Sequence, residues 1–210
     1  KGKYLGIPSG SSVTAANYRI SWFKEAGVAN AEDGRNLDMT WDEYFAVAKK
    51  LKAKGRPFGQ ALGHSTGDPQ GYCYPYMWSN GAMELSKDLK SIAFNKPEFV
   101  DAMKKFVQAW KDGYDETGTS WDDSNNNRAY LSSQISSTFN GSSIYFAAKK
   151  DKPDIAKDTH HILIPKGPAG RFYWLETRTW AILKNSKNVP AAKEFLKWWF
   201  LDEQYNAWWR

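Results

Sequence analysis

Apolar residues recur at helical spacing in several segments, and turns rich in glycine, proline or polar residues separate these segments from short apolar runs. Phe99, Met103 and Phe106 lie at spacings of four and three, which is typical of one face of a helix. Thr40 and Glu43 form a capping box that opens another helix. The pattern predicts helices over 15–26, 40–55, 69–79, 97–113, 125–133, from 143 and from 189, and strands over 4–8, 58–62, 135–140, 162–165 and 174–183.

The alternation of strands and helices predicts an α/β fold, in which helices cover a sheet. We expect Phe58–Leu62 and Ile135–Asn140 to belong to a mostly parallel sheet, with their carboxyl ends at one edge. Ser9–Ser12 follows the first strand as a loop or hinge.

Composition excludes several classes of protein. With 41% hydrophobic and 25% charged residues, the chain is typical of globular proteins, and no apolar run approaches the ~20 residues of a membrane helix. The lysines and arginines behind the net charge of +6 are scattered, which counts against a nucleic-acid-binding domain. Aromatic residues make up 16% of the chain, more rings than a core of this size needs. We therefore expect some rings to line a ligand surface.

Motifs of enzymes and metal sites are missing from the sequence. It has no Gly-x-Ser-x-Gly, no phosphate-binding glycine loop and no His-Glu-x-x-His, and its one cysteine, Cys73, excludes an internal disulfide. Asp122 and Asp123 precede a predicted helix and are expected to cap it. We expect no catalytic residue, no metal and no cofactor. A glycoside hydrolase that uses carboxylates such as Asp122 and Glu176 remains the alternative.

Four segments at strand ends carry side chains suited to a sugar, whose hydroxyls need directed hydrogen bonds and whose C–H faces stack on rings. Each segment could instead belong to the core or to a surface loop. Glu176 and Arg178 could instead form a cross-strand or hinge ion pair. Trp174 shares a predicted strand face with these two residues. The candidate ligand-binding residues are His64, Asp68, Trp78, Asn140, Gly141, Ser142, Trp174, Glu176 and Arg178.

Short motifs along nearly the whole chain resemble the family 1 extracellular solute-binding proteins, the maltose-binding-like receptors of ABC sugar importers. Their order and spacing carry the resemblance. They include Trp22-Phe-Lys-Glu-Ala-Gly-Val, Thr40-Trp-Asp-Glu-Tyr, Asn95-Lys-Pro-Glu, Asn140-Gly-Ser and Ile164-Pro-Lys-Gly-Pro.

This resemblance implies a type II periplasmic-binding-protein fold, of which the chain holds the second lobe and part of the first. Residues 1–12 would end the first lobe and cross the hinge, 13–176 would form the second lobe, and 177–210 would cross back into a partial first lobe. The implied function is delivery of a carbohydrate or similar solute to an ABC permease, without a chemical step. The implied location is the periplasm or the outer side of the cytoplasmic membrane, with any export signal removed.

The resemblance also adds candidate contacts. The segment Trp121–Ser124 matches a contact loop of the family, so Trp121 and Asp122 join the candidates. The family's Asn-Gly-Pro-Trp stacking motif is replaced here by Asn140–Ser143, which has no tryptophan. Trp78 or Trp174 would have to supply that ring. Residues 179–210 would belong to a largely absent lobe, and we expect more exposed apolar surface there than in 13–176.

Overall fold

The computed structural model describes residues 5–201 together with 203 and 207. The strands are β1 (Ile7–Ser12), β2 (Ala15–Arg19), β3 (Ser137–Asn140), β4 (Thr159–Ile162) and β5 (Glu176–Trp180). The α-helices are α1 (Ile20–Glu25), α2 (Trp41–Lys52), α3 (Asp68–Ser79), α4 (Pro97–Gly113), α5 (Asn125–Leu131), α6 (Ser143–Asp151), α7 (Pro153–Lys157) and α8 (Val189–Leu201).

The chain divides into two compact units. Val13–Leu175 form the large unit, and the residues up to Ser12 together with those from Glu176 form the small unit. The large unit holds a sheet of order β3-β2-β4, and the small unit holds β1 paired antiparallel with β5.

The sheet of the large unit is antiparallel, so the predicted mostly parallel sheet is wrong. Strand β2 lies between β3 and β4 and is antiparallel to both. Phe58–Leu62 is not a strand, although it lies beside β3. The N–H of Ser136 donates to the carbonyl of Pro57 and the N–H of Gly59 to that of Ser137, each at 2.9 Å.

Both segments nevertheless reach the same edge of the large unit, as expected for their carboxyl ends. The two segments run parallel, because successive residues of one bond successive residues of the other, and Gln60 bonds the backbone of Phe139. A Cβ at position 59 would lie 2.7 Å from the methyl groups of Ile135, so this close approach requires glycine.

The first predicted helix is wrong over its first five residues, which form β2. Tyr18, Trp22 and Ala26 have helical spacing, but β2 is the central strand and bonds neighbours on both sides. Asn17 and Tyr18 are fully buried there. Tertiary pairing overrides the local pattern.

Several strand bounds also differ from prediction. The segment predicted as the loop Ser9–Ser12 is the end of β1, and Tyr4 lies outside the described residues. The strand predicted over 162–165 covers Thr159–Ile162, and that predicted over 174–183 covers Glu176–Trp180.

Much of the aromatic content lies in the core rather than on a ligand surface. Phe139 is 1% exposed, and its ring centroid lies 5.5 Å from those of Trp41 and Tyr44 and 5.1 Å from that of Tyr72. Buried tyrosine hydroxyls pair internally, as between Tyr72 and Tyr114 at 2.6 Å. These rings fix β3 against α2 and α3.

The small unit exposes large apolar side chains. Trp180, Phe195 and Trp198 are each between 44% and 47% exposed, and Leu183 is 75% exposed. Trp208 and Trp209 lie outside the described residues. Among the helices that the structure describes, none has both the length and the apolar content to cross a bilayer.

Candidate functional site

Polar side chains converge where β3 ends and α3 begins. The Nδ2 group of Asn140, the last residue of β3, donates to Asp68 Oδ2 at 2.9 Å and to Asn127 Oδ1 at 2.8 Å. Asn126, in the first turn of α5, donates from Nδ2 to the same Asp68 oxygen at 2.6 Å. We call Asp68, Asn126, Asn127 and Asn140 the Asp68 cluster.

The carboxyl group of Asp68 is the centre of this cluster. Asp68 is 9% exposed, and Oδ2 receives both asparagine donors. In the part of the chain that the structure describes, no protein group donates to Oδ1. That oxygen is therefore available as a hydrogen-bond acceptor for a ligand.

Two side chains hold the loops that carry the cluster. Gln60 accepts the N–H of Phe139 at 2.9 Å and donates to the carbonyl of Asp68 at 3.3 Å, so it links the loop to β3. Asp123 Oδ1 accepts the hydroxyl of Ser65 at 2.7 Å and the N–H of Asp68 at 3.4 Å. The cluster is thus preorganised from three separate stretches of sequence.

Burial dominates the electrostatics of Asp68. It raises the pKa of this carboxyl to about 7; the hydrogen bond from Asn126 opposes the shift, and the charge of Asp123 adds to it. Exposed Asp122 shows the opposite direction, since hydrogen bonds from Ser124 lower its pKa.

The raised pKa of Asp68 predicts that the stability of the protein depends on pH. The folded pKa lies above the unfolded value of about 3.9, so this contribution to stability is complete below about pH 4. It is lost as pH rises through about 7. We expect the free energy of unfolding of the wild type, relative to Asp68→Asn, to fall by about 2 to 4 kcal/mol over this range.

Urea unfolding at a series of pH values measures this difference. Asp88→Asn is the matched control, because hydrogen bonds from Ser86 lower the pKa of exposed Asp88 and its contribution therefore grows as pH rises. If the difference in the free energy of unfolding between wild type and Asp68→Asn does not change with pH, the raised pKa of Asp68 is contradicted.

The structure brings only some of the predicted site residues together. Asp68 and Asn140 form the cluster, and Gly141 and Ser142 follow directly between β3 and α6. His64 is exposed in the loop before α3.

Trp121 and Asp122 have structural roles in the large unit. Trp121 is 8% exposed in a core cluster with Tyr130 and Ile135, which removes it from the ligand surface. Asp122 accepts the N–H groups of Ser124 and Asn125 at 2.8 and 3.2 Å, and so caps the start of α5 as expected.

The two tryptophans proposed to stack on a sugar, Trp78 and Trp174, are not part of the Asp68 cluster. Trp78 lies ten residues after Asp68 in α3, about 15 Å along the helix axis at 1.5 Å per residue. Its ring stacks on Tyr74, and its Nε1 group donates to Glu84 at 2.9 Å. Trp174 precedes β5, so it does not share a strand face with the residues of that strand.

Glu176 and Arg178 lie on β5 in the small unit. Glu176 Oε2 accepts the hydroxyl of Ser12 at 3.0 Å, and the backbone carbonyl of exposed Arg178 accepts that of Ser9 at 3.2 Å. The Glu176 carboxylate thus pairs with Ser12, and the structure shows no ion pair between the described side chains of Glu176 and Arg178. The alternative interpretation as an ion pair is wrong.

Sequence reasoning missed three residues in or beside the site, Asn126, Asn127 and Phe146. Asn126 and Asn127 belong to a run of three asparagines, which was the available signal. Phe146 lies in the first turn of α6, where its N–H bonds the carbonyl of Ser142, and it is 62% exposed. Helical side chains lean toward the N-terminus of their helix. The Phe146 ring therefore leans toward the Ser142 end of α6, and its centroid lies 5.8 Å from that of Tyr145.

All 210 residues match the family described as bacterial extracellular solute-binding protein. The chain belongs to this family. No curated protein matches the sequence. Within the residues that the structure describes, no three His, Cys, Asp or Glu side chains could together hold a metal ion.

Solved structures of this solute-binding class share the fold of the chain. Maltose-bound MalE3 of T. maritima is 21% identical, with a TM-score of 0.78 over 95% of this chain and 51% of that one. The laminaribiose-bound sugar transporter of Arthrobacter chlorophenolicus A6 is 20% identical, with a TM-score of 0.77 over 98% and 50%. The D-mannitol-bound solute-binding protein of Agrobacterium vitis S4 is 22% identical, with a TM-score of 0.74 over 94% and 47%.

These likenesses establish the fold of the solute-binding protein. It is the type II periplasmic-binding-protein fold that the sequence resemblance implied, with helices and sheet as in the solved structures. The chain spans about half the length of the structures it matches.

Proposed function

We propose that the chain is part of a receptor that captures a carbohydrate or similar polyhydroxylated solute outside the cytoplasmic membrane and delivers it to an ABC permease. The Asp68 cluster is the observation that carries this proposal. It presents one carboxyl oxygen and amide groups at the edge of the large unit, within a family of extracellular solute-binding proteins. Relatives of the same fold were solved with maltose, laminaribiose and D-mannitol.

The proposed recognition uses hydrogen bonds, one of them to the Asp68 carboxyl group, and one apolar surface. Asp68 Oδ1 accepts a sugar hydroxyl, and Asn127, Asn140 and Ser142 supply further groups. The first turn of α6 offers backbone N–H donors that have no partner within a helix. Phe146 supplies the ring for the C–H face of the sugar, in place of Trp78 or Trp174.

The proposed mechanism is capture without chemistry. The large unit is the second lobe, and the small unit supplies the hinge crossings and part of the first lobe. A solute that contacts both lobes stabilises the closed form, which is the form that docks on the permease. His64, Asp122, Glu176 and Arg178 are further proposed contacts of the closed state.

A screen of sugars tests the proposed function. The full-length protein is heated with each sugar, hits are quantified by calorimetry, and the recovered sugar is analysed for new reducing ends. We expect a thermal shift with intact sugar. Released reducing ends would favour the glycoside hydrolase, for which the raised pKa of Asp68 would suit an acid catalyst. No binding by any sugar or polyol would contradict the proposal.

Phe146→Ala is expected to weaken sugar binding about tenfold, the cost of leaving one sugar face without its ring. Calorimetry on the full-length protein measures this change. Phe94→Ala is the matched control, because Phe94 is also exposed, at 46%, but precedes α4. Equal affinities for wild type and Phe146→Ala would remove Phe146 from the site without affecting the proposed function.

A further inference from the structure

Asn140 is followed by glycine, and their atoms lie close together. The N–H of Gly141 donates to Oδ1 of Asn140 at 2.6 Å. A carbonyl bond is about 1.23 Å long, so the Gly141 nitrogen lies at most about 3.8 Å from Cγ of the same side chain. Reacting atoms in near-attack geometries are separated by about 3 to 3.5 Å. A small rotation is enough to bring these two atoms into that range.

The surroundings of Gly141 leave room for the two atoms to join. A Cβ at this position would meet only Ser143 Oγ, at 3.9 Å. The space beside the Gly141 Cα is therefore open. The same space means that alanine fits at position 141.

The departing group also has a partner. Nδ2 of Asn140 lies 2.9 Å from Asp68 Oδ2. Burial raises the pKa of Asp68 to about 7, so a share of its carboxyl groups carries a proton near neutral pH. Because both asparagines donate to Oδ2, this proton lies on Oδ1, from which it can pass to the Asn140 nitrogen once that hydrogen bond breaks.

We propose that Asn140 is a site of spontaneous deamidation. The Gly141 nitrogen loses its proton to water and bonds to Cγ of Asn140, the Cγ–Nδ2 bond breaks, and Nδ2 takes up the Asp68 proton and leaves as ammonia. Water then opens the cyclic imide and leaves aspartate or isoaspartate at position 140. Water is the only co-reactant.

This change would disable the Asp68 cluster. A carboxylate at position 140 replaces the amide donor that faces Asp68 Oδ2, so two acceptors of like charge would meet. Asn127 Oδ1 would lose its donor in the same step. The candidate site therefore carries its own route to slow inactivation.

The second Asn-Gly sequence provides an internal control. The N–H of Gly81 donates to the carbonyl of Trp78 at 2.9 Å, away from the Asn80 side chain. Nδ2 of Asn80 donates to the carbonyl of Tyr76 at 2.8 Å. The geometry that favours reaction at Asn140 is absent from Asn80.

Peptide mapping of aged protein tests the proposal without any ligand. Trypsin releases residues 129–149, in which Asn140 is the only asparagine, and residues 55–87, in which Asn80 is the only one. The full-length protein is incubated at neutral pH, folded in one sample and in urea in the other. We expect the ratio of Asn140 to Asn80 conversion to be about fivefold higher in the folded sample.

Two variants assign the effect to the geometry. Gly141→Ala is expected to slow conversion of Asn140 about tenfold and to leave Asn80 unchanged, and Asp68→Asn is expected to slow it by removing the proton source. A conversion ratio no higher in the folded than in the unfolded protein would overturn the proposal. So would a Gly141→Ala variant that converts at the wild-type rate.

Discussion

Asp68→Asn is expected to lower the affinity of the full-length protein for its sugar by about ten- to a hundredfold. A hydrogen bond to a charged group contributes about 1.5 to 3 kcal/mol, and each 1.4 kcal/mol is tenfold in affinity. Asp68 Oδ1 has no donor among the described protein groups, so a sugar hydroxyl is its expected partner. Calorimetric titration of both proteins above pH 8, where the Asp68 carboxyl is ionised, measures the loss.

In Asp68→Asn, we expect the affinity for sugar to fall while the free energy of unfolding above about pH 7 rises. Asp68→Asn removes a buried carboxyl whose ionisation opposes folding above about pH 7. Weaker binding therefore cannot be assigned to unfolding if the variant is at least as stable as the wild type. Asp88→Asn, in an exposed turn before α4, should bind like the wild type. Unchanged affinity in Asp68→Asn would place the sugar elsewhere.

Phe139→Ala is expected to destabilise the protein by about 3 to 5 kcal/mol, the usual cost of removing a buried phenylalanine ring. Phe139 is 1% exposed on β3, and the rings of Trp41, Tyr44 and Tyr72 surround it. These rigid rings do not easily collapse into the space that the change leaves. Urea unfolding at fixed pH measures the effect.

Phe146→Ala is the matched control for this core substitution. Its ring is 62% exposed on α6, so its removal should change the free energy of unfolding by less than about 0.5 kcal/mol. The two phenylalanines therefore separate a core role from a ligand role. Similar losses of stability in both variants would contradict the packing described for β3.

Local sequence signals predicted the long helices well. The capping box of Thr40 and Glu43 is present in the structure, and α4 begins at Pro97 and ends at Gly113 as expected. Strand β2 was missed because its identity depends on β3 and β4, which lie more than a hundred residues away along the chain. Short strands that pair at such distances leave little local trace.

The candidate site was also only partly predictable, because some of its residues follow local patterns and others depend on long-range contacts. Asp68 follows one predicted strand and Asn140 ends another. Their proximity could be inferred because the carboxyl ends of both segments were expected at one edge of the sheet. The contributions of Asn126 and Gln60 depend on side-chain contacts across 58 to 79 residues of sequence, which no local pattern encodes. Trp78 was proposed as a ring near a predicted strand end and as a substitute for the family's stacking tryptophan, but its position along α3 separates it from Asp68.

A crystal structure of the full-length protein with the sugar identified by the screen tests the central claim most directly. We expect one sugar hydroxyl within hydrogen-bond distance of Asp68 Oδ1, another at Asn127 or Asn140, and the ring of Phe146 against a C–H face. A sugar bound without contact to any member of the Asp68 cluster would contradict the account.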